Sequence, residues 1–122
     1  MLKKNLNLYR NLIKSIKNIF VHKLKKQKMK ELRERLHTAM IELGFEETVI
    51  NGKINYLWKG KCVAVSYHQT YAALEIAGNV SEAKRNLYED LDIYEYSYME
   101  NIQKDIFDEM RQDIVQYVVE RY

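Results

Sequence analysis

The sequence has no proline, four glycines and a single cysteine among its 122 residues. With so few residues of the kinds that interrupt regular structure, long irregular linkers are not expected. Cys62 cannot form an internal disulfide, which fits a reducing compartment such as the cytoplasm. The length suits one domain, and the 47% of apolar residues is enough for a packed core.

Signatures of enzymes and of cofactor binding are also missing from the sequence. Neither G-x-x-x-x-G-K nor G-x-G-x-x-G occurs, which argues against those modes of nucleotide binding. His22, His37 and His68 have no cysteine or carboxylate at a persuasive metal-ligand spacing. Cys62 is expected to be a small apolar filler in a strand. We therefore expect a binding protein, not an enzyme, with no metal and no cofactor.

Charge is distributed unevenly along the chain, although the net charge is only +3. Residues 1–30 contain ten basic side chains and no acid, whereas residues 75–122 contain twelve acids and five bases. Such a gradient indicates different partners for the two ends. The alternative is that one end shields the other, within the chain or across a dimer.

The first 24 residues have the pattern of a basic amphipathic helix. Its apolar residues recur every three or four positions, at Leu2, Leu6, Tyr9, Ile13, Ile16, Phe20 and Leu24. The bases that we assign to a partner-binding basic helix are Lys3, Lys4, Arg10, Lys14, Lys17, Lys23, Lys25, Lys26 and Lys28. No apolar run reaches the roughly 18–20 residues that span a bilayer, and lysines interrupt any secretory-signal core.

Four interpretations of this helix stay open. It could lie on a membrane surface, bind RNA phosphates, form a dimer seam through its apolar stripe, or pack on its own domain. The polar residues 25–28 interrupt the apolar rhythm, and a second helix is predicted over 29–43, ended by Gly44. We therefore expect residues 1–28 to be an appendage and residues 29–122 to be a compact domain. Met29 could serve as an alternative start.

Between residues 45 and 77 the apolar period falls from about 3.6 to two, which indicates strands. Strands are predicted at 45–50, 53–58, 61–67 and 71–77, with Asn51-Gly52 as a two-residue hairpin turn. Helices are predicted at 82–91, with Ser81 as N-cap, and at 98–121, opened by Ser97 and Glu100 as a capping box. The prediction is an α+β fold: two N-terminal helices, an antiparallel three- to four-stranded meander, and two C-terminal helices packed on one face.

The stretch 88–100 holds four tyrosines and five carboxylates without a base. We interpret it as a junction between two helices that displays hydroxyls and negative charge, continued by acids four residues apart on the last helix. The predicted acidic face comprises Tyr88, Glu89, Asp90, Asp92, Tyr94, Glu95, Tyr96, Glu100, Asp105, Glu109 and Asp113. Such a face suits a protein whose groove is lined with Arg and Lys for nucleic-acid phosphates. Alternatively, the tyrosines cover the junction and the acids are merely solvated.

In element order and in the character of Tyr88-Glu89-Asp90 and Tyr94-Glu95-Tyr96, residues 29–122 resemble the small anti-CRISPR proteins of phages and mobile elements that inhibit type II RNA-guided nucleases. The basic segment 1–28 departs from that pattern. The resemblance implies that the acidic face imitates DNA where the nuclease reads its protospacer-adjacent motif with basic side chains. It also leaves the basic helix free to contact guide RNA or an acidic part of the nuclease.

Two other function classes fit the same sequence. One is a cytoplasmic immunity protein that plugs the basic active site of a bacterial toxin. The other is an adaptor that acts on RNA or a membrane surface through residues 1–28 alone. For the inhibitor classes we expect a location in the cytoplasm of a bacterial host cell.

Overall fold

The computed structural model describes the backbone of residues 2–96 and 101–122, and all side chains in these ranges except those of residues 2–5, 18, 20–22 and 101–105. The fold is α+β, as predicted. In chain order its elements are α1 (Leu2–Glu42), β1 (Glu46–Ile50), β2 (Lys53–Trp58), β3 (Lys61–Tyr67), β4 (Tyr71–Ala77), α2 (Val80–Lys84), β5 (Glu89–Glu95) and α3 (Asn101–Ile114), which continues as a π-helical turn over Val115–Val119. The strands form one antiparallel sheet in the order β1-β2-β3-β4-β5.

Helix α1 is continuous, so the prediction of two N-terminal helices is wrong. The polar residues 25–28 are lysines and glutamine, which are good helix formers. They interrupt the apolar pattern without interrupting the backbone. The predicted end of the helix is confirmed: Gly44 has φ of +101°, its N–H donates to Ile41 O, and the Phe45 N–H donates to Met40 O. These two bonds form a Schellman motif. Whether residues 1–28 are a functional appendage stays a prediction.

The predicted strands are present, and two-residue turns connect the first three. Strands β2, β3 and β4 have the predicted bounds, and β1 begins one residue later than predicted. Asn51 and Gly52 have φ of 53° and 75°, as a type I′ turn requires. Lys59 and Gly60 also have positive φ.

The Asn51-Gly52 turn provides a test of the hairpin. Gly52→Ala is expected to lower the free energy of unfolding by about 1 kcal/mol, because the left-handed conformation disfavours a residue with a Cβ. A Cβ at this position would meet no atom within 4 Å, so the loss comes from the backbone and not from a collision. Gly52→Asn should cost less, because asparagine tolerates this conformation. Urea unfolding of both variants measures the difference, and equal losses would contradict the assignment.

The region after β4 differs most from prediction. Helix α2 is only five residues long, and its N-cap is Asn79, whose Oδ1 accepts from the Glu82 N–H at 2.8 Å; the predicted cap Ser81 lies inside the helix. Asn86 has φ of 58°, which ends the helical conformation. A helix is therefore present near the predicted position, but its predicted continuation to residue 91 is wrong. The chain then forms β5, which pairs with β4 at the edge of the sheet. The predicted junction between two helices is therefore a fifth strand.

Helices lie on both faces of the sheet, not on one as predicted. On the first face, Leu32, Leu36 and Met40 of α1 and Met110 and Ile114 of α3 are buried against β2 to β5. On the second face, a smaller cluster forms beneath α2 from Ile50, Cys62, Ala77 and Ala83. Cys62 is fully buried, and burial raises the pKa of its thiol, in agreement with the predicted filler role.

The C-terminal helix begins, within the described residues, at Asn101 and becomes π-helical at Val115. The predicted capping box of Ser97 and Glu100 lies outside the described residues. No helix in the ranges that the structure describes is long and apolar enough to cross a membrane.

Candidate partner-binding surface

The acids of β5 fall into two groups because successive side chains of a strand point to opposite faces. Asp90 and Glu95 are exposed and pair in register with Glu75 and Tyr71 of β4, on the face that also carries α2. Glu89 is exposed at the start of the strand. Asp92 is half-buried and points toward α3. The predicted acidic face is therefore divided between the two faces of the sheet.

The described tyrosine hydroxyls of this stretch bond to groups within the protein, whereas the prediction was that they are displayed to a partner. The fourth tyrosine lies outside the described residues. Tyr94 is buried, and its hydroxyl donates to Asp113 Oδ2 at 2.6 Å. The half-buried Tyr88 donates to Asn55 Oδ1 at 2.7 Å, and the half-buried Tyr96 donates to the His68 carbonyl at 3.0 Å. Buried tyrosine hydroxyls usually find such partners. The three hydroxyls therefore tie β5 and its flanking residues to other segments of the chain, and the bond of Tyr96 is at an exposed position.

Two acids of the predicted row along the last helix form a cluster with an acid of β5. Oxygen atoms of Asp92, Glu109 and Asp113 lie within 4.8 Å of one another. Burial first, then the neighbouring carboxylates, raise the pKa of Asp113, although the bond from Tyr94 opposes the rise. The side chain of Asp105 and all of Glu100 lie outside the described residues.

Three carboxylates at this spacing can attract a hard cation, but calcium takes six to eight oxygen ligands. One oxygen of Asp113 already accepts from Tyr94, and Asp92 accepts from the Ile93 N–H at 2.8 Å. The bond from Tyr94 to Asp113 joins β5 to α3, and the three carboxylates offer only part of a coordination sphere.

A groove of about 490 Å³ lies along β4 and β5 on the face that carries Asp90 and Glu95. We call it the β4–β5 groove; its lining comprises His68, Thr70, Tyr71, Ala73, Glu75, Asp90, Ile93, Glu95 and Tyr96. The rings of His68 and Tyr71 stack with centroids 4.5 Å apart, and Ile93 is half exposed. No described base forms an ion pair with Asp90 or Glu95. The groove thus offers aromatic surface, apolar surface and uncompensated negative charge together.

A polar network beneath this groove was not predicted from the sequence. The Lys53 ammonium donates to Glu75 Oε2 at 2.9 Å and to Ser66 Oγ at 3.0 Å, and Ser66 donates to Glu75 Oε1 at 2.5 Å. The same ammonium lies 4.5 Å from the centre of the Tyr88 ring. These residues come from three strands and the segment before β5, so only the sheet register brings them together. One sign was available in the sequence: Lys53 and Glu75 occupy strand positions that alternate with apolar residues.

A larger groove of about 780 Å³ lies between α1 and β2–β3. Its walls include Ile54, Tyr56 and Tyr67, and the Tyr56 hydroxyl is hydrogen-bonded to His37 Nδ1 at 2.9 Å. Burial, with a smaller contribution from Glu47, raises the pKa of Tyr56 to about 12. Because this groove contains both Arg33 and Glu47, it does not favour a basic partner as the β4–β5 groove does.

The predicted basic residues lie along the first two thirds of α1. The side chains of Lys3 and Lys4 lie outside the described residues; exposed bases are Arg10, Lys14, Lys17, Lys23 and Lys26, and partly buried ones are Lys25 and Lys28. Lys25 donates to the Gln69 carbonyl at 2.6 Å and lies 5.6 Å from the centre of the Tyr96 ring. The helix therefore contacts the sheet through its basic segment, beside one end of the β4–β5 groove.

Comparisons with known proteins found no matching family model, no matching curated protein and no matching solved structure.

Proposed function

We propose that the protein is a stoichiometric inhibitor that binds the basic, nucleic-acid-reading groove of another protein through the β4–β5 groove. The observation that carries the proposal is the pair of exposed carboxylates, Asp90 and Glu95, beside the stacked rings of His68 and Tyr71. An arginine of the partner can stack its guanidinium on an aromatic ring and form charge-assisted bonds with a carboxylate. No catalytic step and no cofactor is part of this proposal.

The spacing of the acids on β5 supports mimicry of a nucleic-acid strand. A strand rises about 3.3–3.4 Å per residue, close to the 3.4 Å between successive phosphates of one DNA strand along the helix axis. Because β5 has one extra residue between them, Asp90 and Glu95 face Glu75 and Tyr71, which are only four residues apart on β4. The two acids are therefore about four phosphate steps apart, at roughly 13 Å. Two basic groups that contact phosphates about four steps apart would meet carboxylates at a comparable spacing.

The specific partner that we propose is a type II RNA-guided nuclease in the cytoplasm of a bacterial host. Such a nuclease reads its protospacer-adjacent motif with arginines in a DNA-binding cleft. Occupation of that cleft by the acidic groove would prevent DNA from binding. The element order no longer supports this choice, since a fifth strand replaces the predicted junction between two helices. The support is the charge and aromatic content of the groove.

Charge reversal tests the proposal directly. Asp90→Lys combined with Glu95→Lys is expected to weaken inhibition of DNA binding by a guide-loaded nuclease at least about tenfold, because attraction to a basic cleft becomes repulsion. The matched control is Glu46→Lys with Glu120→Lys, which changes the net charge equally at exposed positions away from the groove. Titration of the nuclease with each variant, followed by fluorescence anisotropy of labelled target DNA, gives the inhibition constants.

Equal inhibition by the reversed and control variants would contradict a role for the β4–β5 groove. If the nuclease is unaffected and the protein instead rescues cells from a toxin encoded beside it, the immunity interpretation replaces the nuclease. The same charge reversal would then be expected to abolish the rescue.

A further inference from the structure

The N-terminal half of α1 carries an unusually exposed apolar surface. Six large apolar side chains in its first five turns are between 49% and 63% exposed: Leu6, Leu8, Tyr9, Leu12, Ile16 and Ile19. Single exposed apolar residues are ordinary on protein surfaces, but a contiguous apolar surface marks a site of interaction. From Leu6 to Ile19 this surface extends for about 20 Å at 1.5 Å per residue.

Apolar and basic residues are segregated around this part of the helix. At about 100° per residue, the six apolar residues fall within roughly 160° of the circumference. Arg10, Lys14 and Lys17 fall outside that sector, together with the asparagines at positions 7 and 11. Segregation of this kind is the pattern of a helix that lies at a boundary between an apolar and an aqueous phase.

The exposed surface lies on the opposite side of α1 from the residues that pack on the sheet. Ile16 and the buried Leu36 are twenty residues apart, which is about 5.6 turns at 3.6 residues per turn. The half turn left over places the two side chains on opposite sides of one continuous helix. The contact with the sheet therefore cannot be extended along α1 to cover Ile16 and its neighbours.

The charge of the helix distinguishes between three kinds of partner for this surface: a second copy of the helix, RNA and a lipid bilayer. Residues 1–30 contain ten bases and no acid, so a second copy of the helix would bring lysines against lysines, and like charges beside an apolar seam are destabilising. RNA would satisfy the lysines but leave the apolar side in water. A bilayer with anionic headgroups satisfies both, since acyl chains accept the apolar side and headgroups accept the lysines.

We propose that the N-terminal half of α1 is an in-plane anchor for anionic lipid surfaces. Leu12 and Ile16 enter the boundary between headgroups and acyl chains, and Lys14 and Lys17 contact the headgroup phosphates. This proposal does not depend on the inhibitor function, because it involves no residue of the β4–β5 groove. It would place that groove near a membrane surface by means of an uninterrupted helix.

The experiment is flotation of the full-length protein with lipid vesicles. Vesicles contain either phosphatidylcholine alone or a mixture of phosphatidylcholine with about one third phosphatidylglycerol. The protein is expected to bind the anionic vesicles at least about tenfold more tightly than the neutral ones, with affinity that falls as salt screens the lysines.

Two double variants separate the apolar and electrostatic contributions. Leu12→Gln with Ile16→Gln should reduce binding to anionic vesicles at least about tenfold, because less apolar surface is buried in the bilayer. Lys14→Gln with Lys17→Gln should weaken binding and reduce its salt dependence. The matched control is Val49→Gln with Ile54→Gln, which replaces two exposed apolar residues on β1 and β2 and should leave vesicle binding unchanged.

Three results would overturn the proposal. The first is vesicle binding by the Leu12→Gln, Ile16→Gln variant at the wild-type level. The second is a stable dimer, seen by light scattering, that this variant dissociates while no vesicle binding is found. The third is RNA binding that requires Lys14 and Lys17 in a protein that does not float with vesicles. Reversal of Asp90 and Glu95 should not weaken vesicle binding, so failure of this proposal and failure of the inhibitor function are separable.

Discussion

Replacement of Lys53 by methionine is expected to lower the free energy of unfolding by about 3 kcal/mol, because it leaves a largely buried carboxylate without its cation. Glu75 is only 14% exposed and Lys53 29% exposed. The ammonium donates to Glu75 and to Ser66, at 2.9 Å and 3.0 Å. Methionine has a similar length and fills the same space, so the loss is mainly electrostatic. Equilibrium urea unfolding followed by circular dichroism measures it.

A double-mutant cycle identifies the cause of the loss. Glu75→Gln in the Lys53→Met background removes the unpaired charge and keeps an oxygen that can accept from the Ser66 hydroxyl, so most of the stability should return. Lys84→Met at an exposed position of α2 is the control and should change stability by less than about 0.5 kcal/mol. If Lys53→Met costs no more than Lys84→Met, the ion pair contributes nothing and the network is only a packing arrangement.

The strands and turns that could be predicted are those whose evidence is local. The Asn51-Gly52 pair determines its own turn, and the alternating residues of β3 and β4 determine their own strands. The end of α1 is likewise local, because Gly44 and the residue after it form two backbone bonds to the last turn of the helix. Strand β5 was missed because its alternation is interrupted. Asp92 pairs with Leu74 and Asp90 with Glu75, so Leu91 is an extra residue at a bulge. A bulge shifts the apolar residues out of phase and hides the period of two.

The continuity of α1 was missed for a different reason. Its apolar stripe changes from one side of the helix to the other between Ile16 and Leu36, so no single periodic pattern describes the whole element. In the sequence alone, such a change in the side that carries the apolar residues looks like the end of one helix and the start of another. In the structure it marks the point where the helix begins to contact the sheet, near the Lys25 side chain and its bond to Gln69.

For the binding surface, the exposed acids could be predicted from the sequence, but the direction in which the tyrosine side chains point could not. Glu89, Asp90 and Glu95 are exposed, as expected of acids without nearby bases in the sequence. Tyr88 and Tyr94 point inward because their hydrogen-bond acceptors, Asn55 and Asp113, come from distant segments. Separations of 33 and 19 residues are set by the fold of the sheet and of α3, which composition alone does not determine.

Tyr94→Phe is expected to lower the free energy of unfolding by about 2 kcal/mol at neutral pH, the range for a hydrogen bond to a charged group. The variant keeps the buried ring and removes only the hydroxyl that donates to Asp113 at 2.6 Å. In the variant, Asp113 still lies beside the carboxylates of Asp92 and Glu109, but it no longer accepts a hydrogen bond from β5. Asp113→Asn keeps an acceptor for Tyr94 and removes one of three clustered charges, so in that background the same change should cost only about 1 kcal/mol.

The loss of stability in Tyr94→Phe is expected to depend on pH, and the direction of that dependence follows from the pKa of Asp113. Burial and the neighbouring acids hold the pKa of Asp113 above its ordinary value. The stability linked to that raised pKa is fully present below the unfolded-state pKa and is lost as pH rises through the folded-state pKa. Removal of the Tyr94 hydroxyl takes away the one contact that lowers this pKa, so the loss at neutral pH becomes larger.

The cost of Tyr94→Phe should accordingly shrink on acidification, because a protonated Asp113 makes only an ordinary neutral hydrogen bond. Urea unfolding of wild type, Tyr94→Phe, Asp113→Asn and the double variant at about pH 7 and about pH 4 completes the test. A cost that is the same at both pH values and in both backgrounds would show that Tyr94 does not stabilise a charged Asp113. In that case the ring of Tyr94, and not its hydroxyl, is what holds β5 against α3.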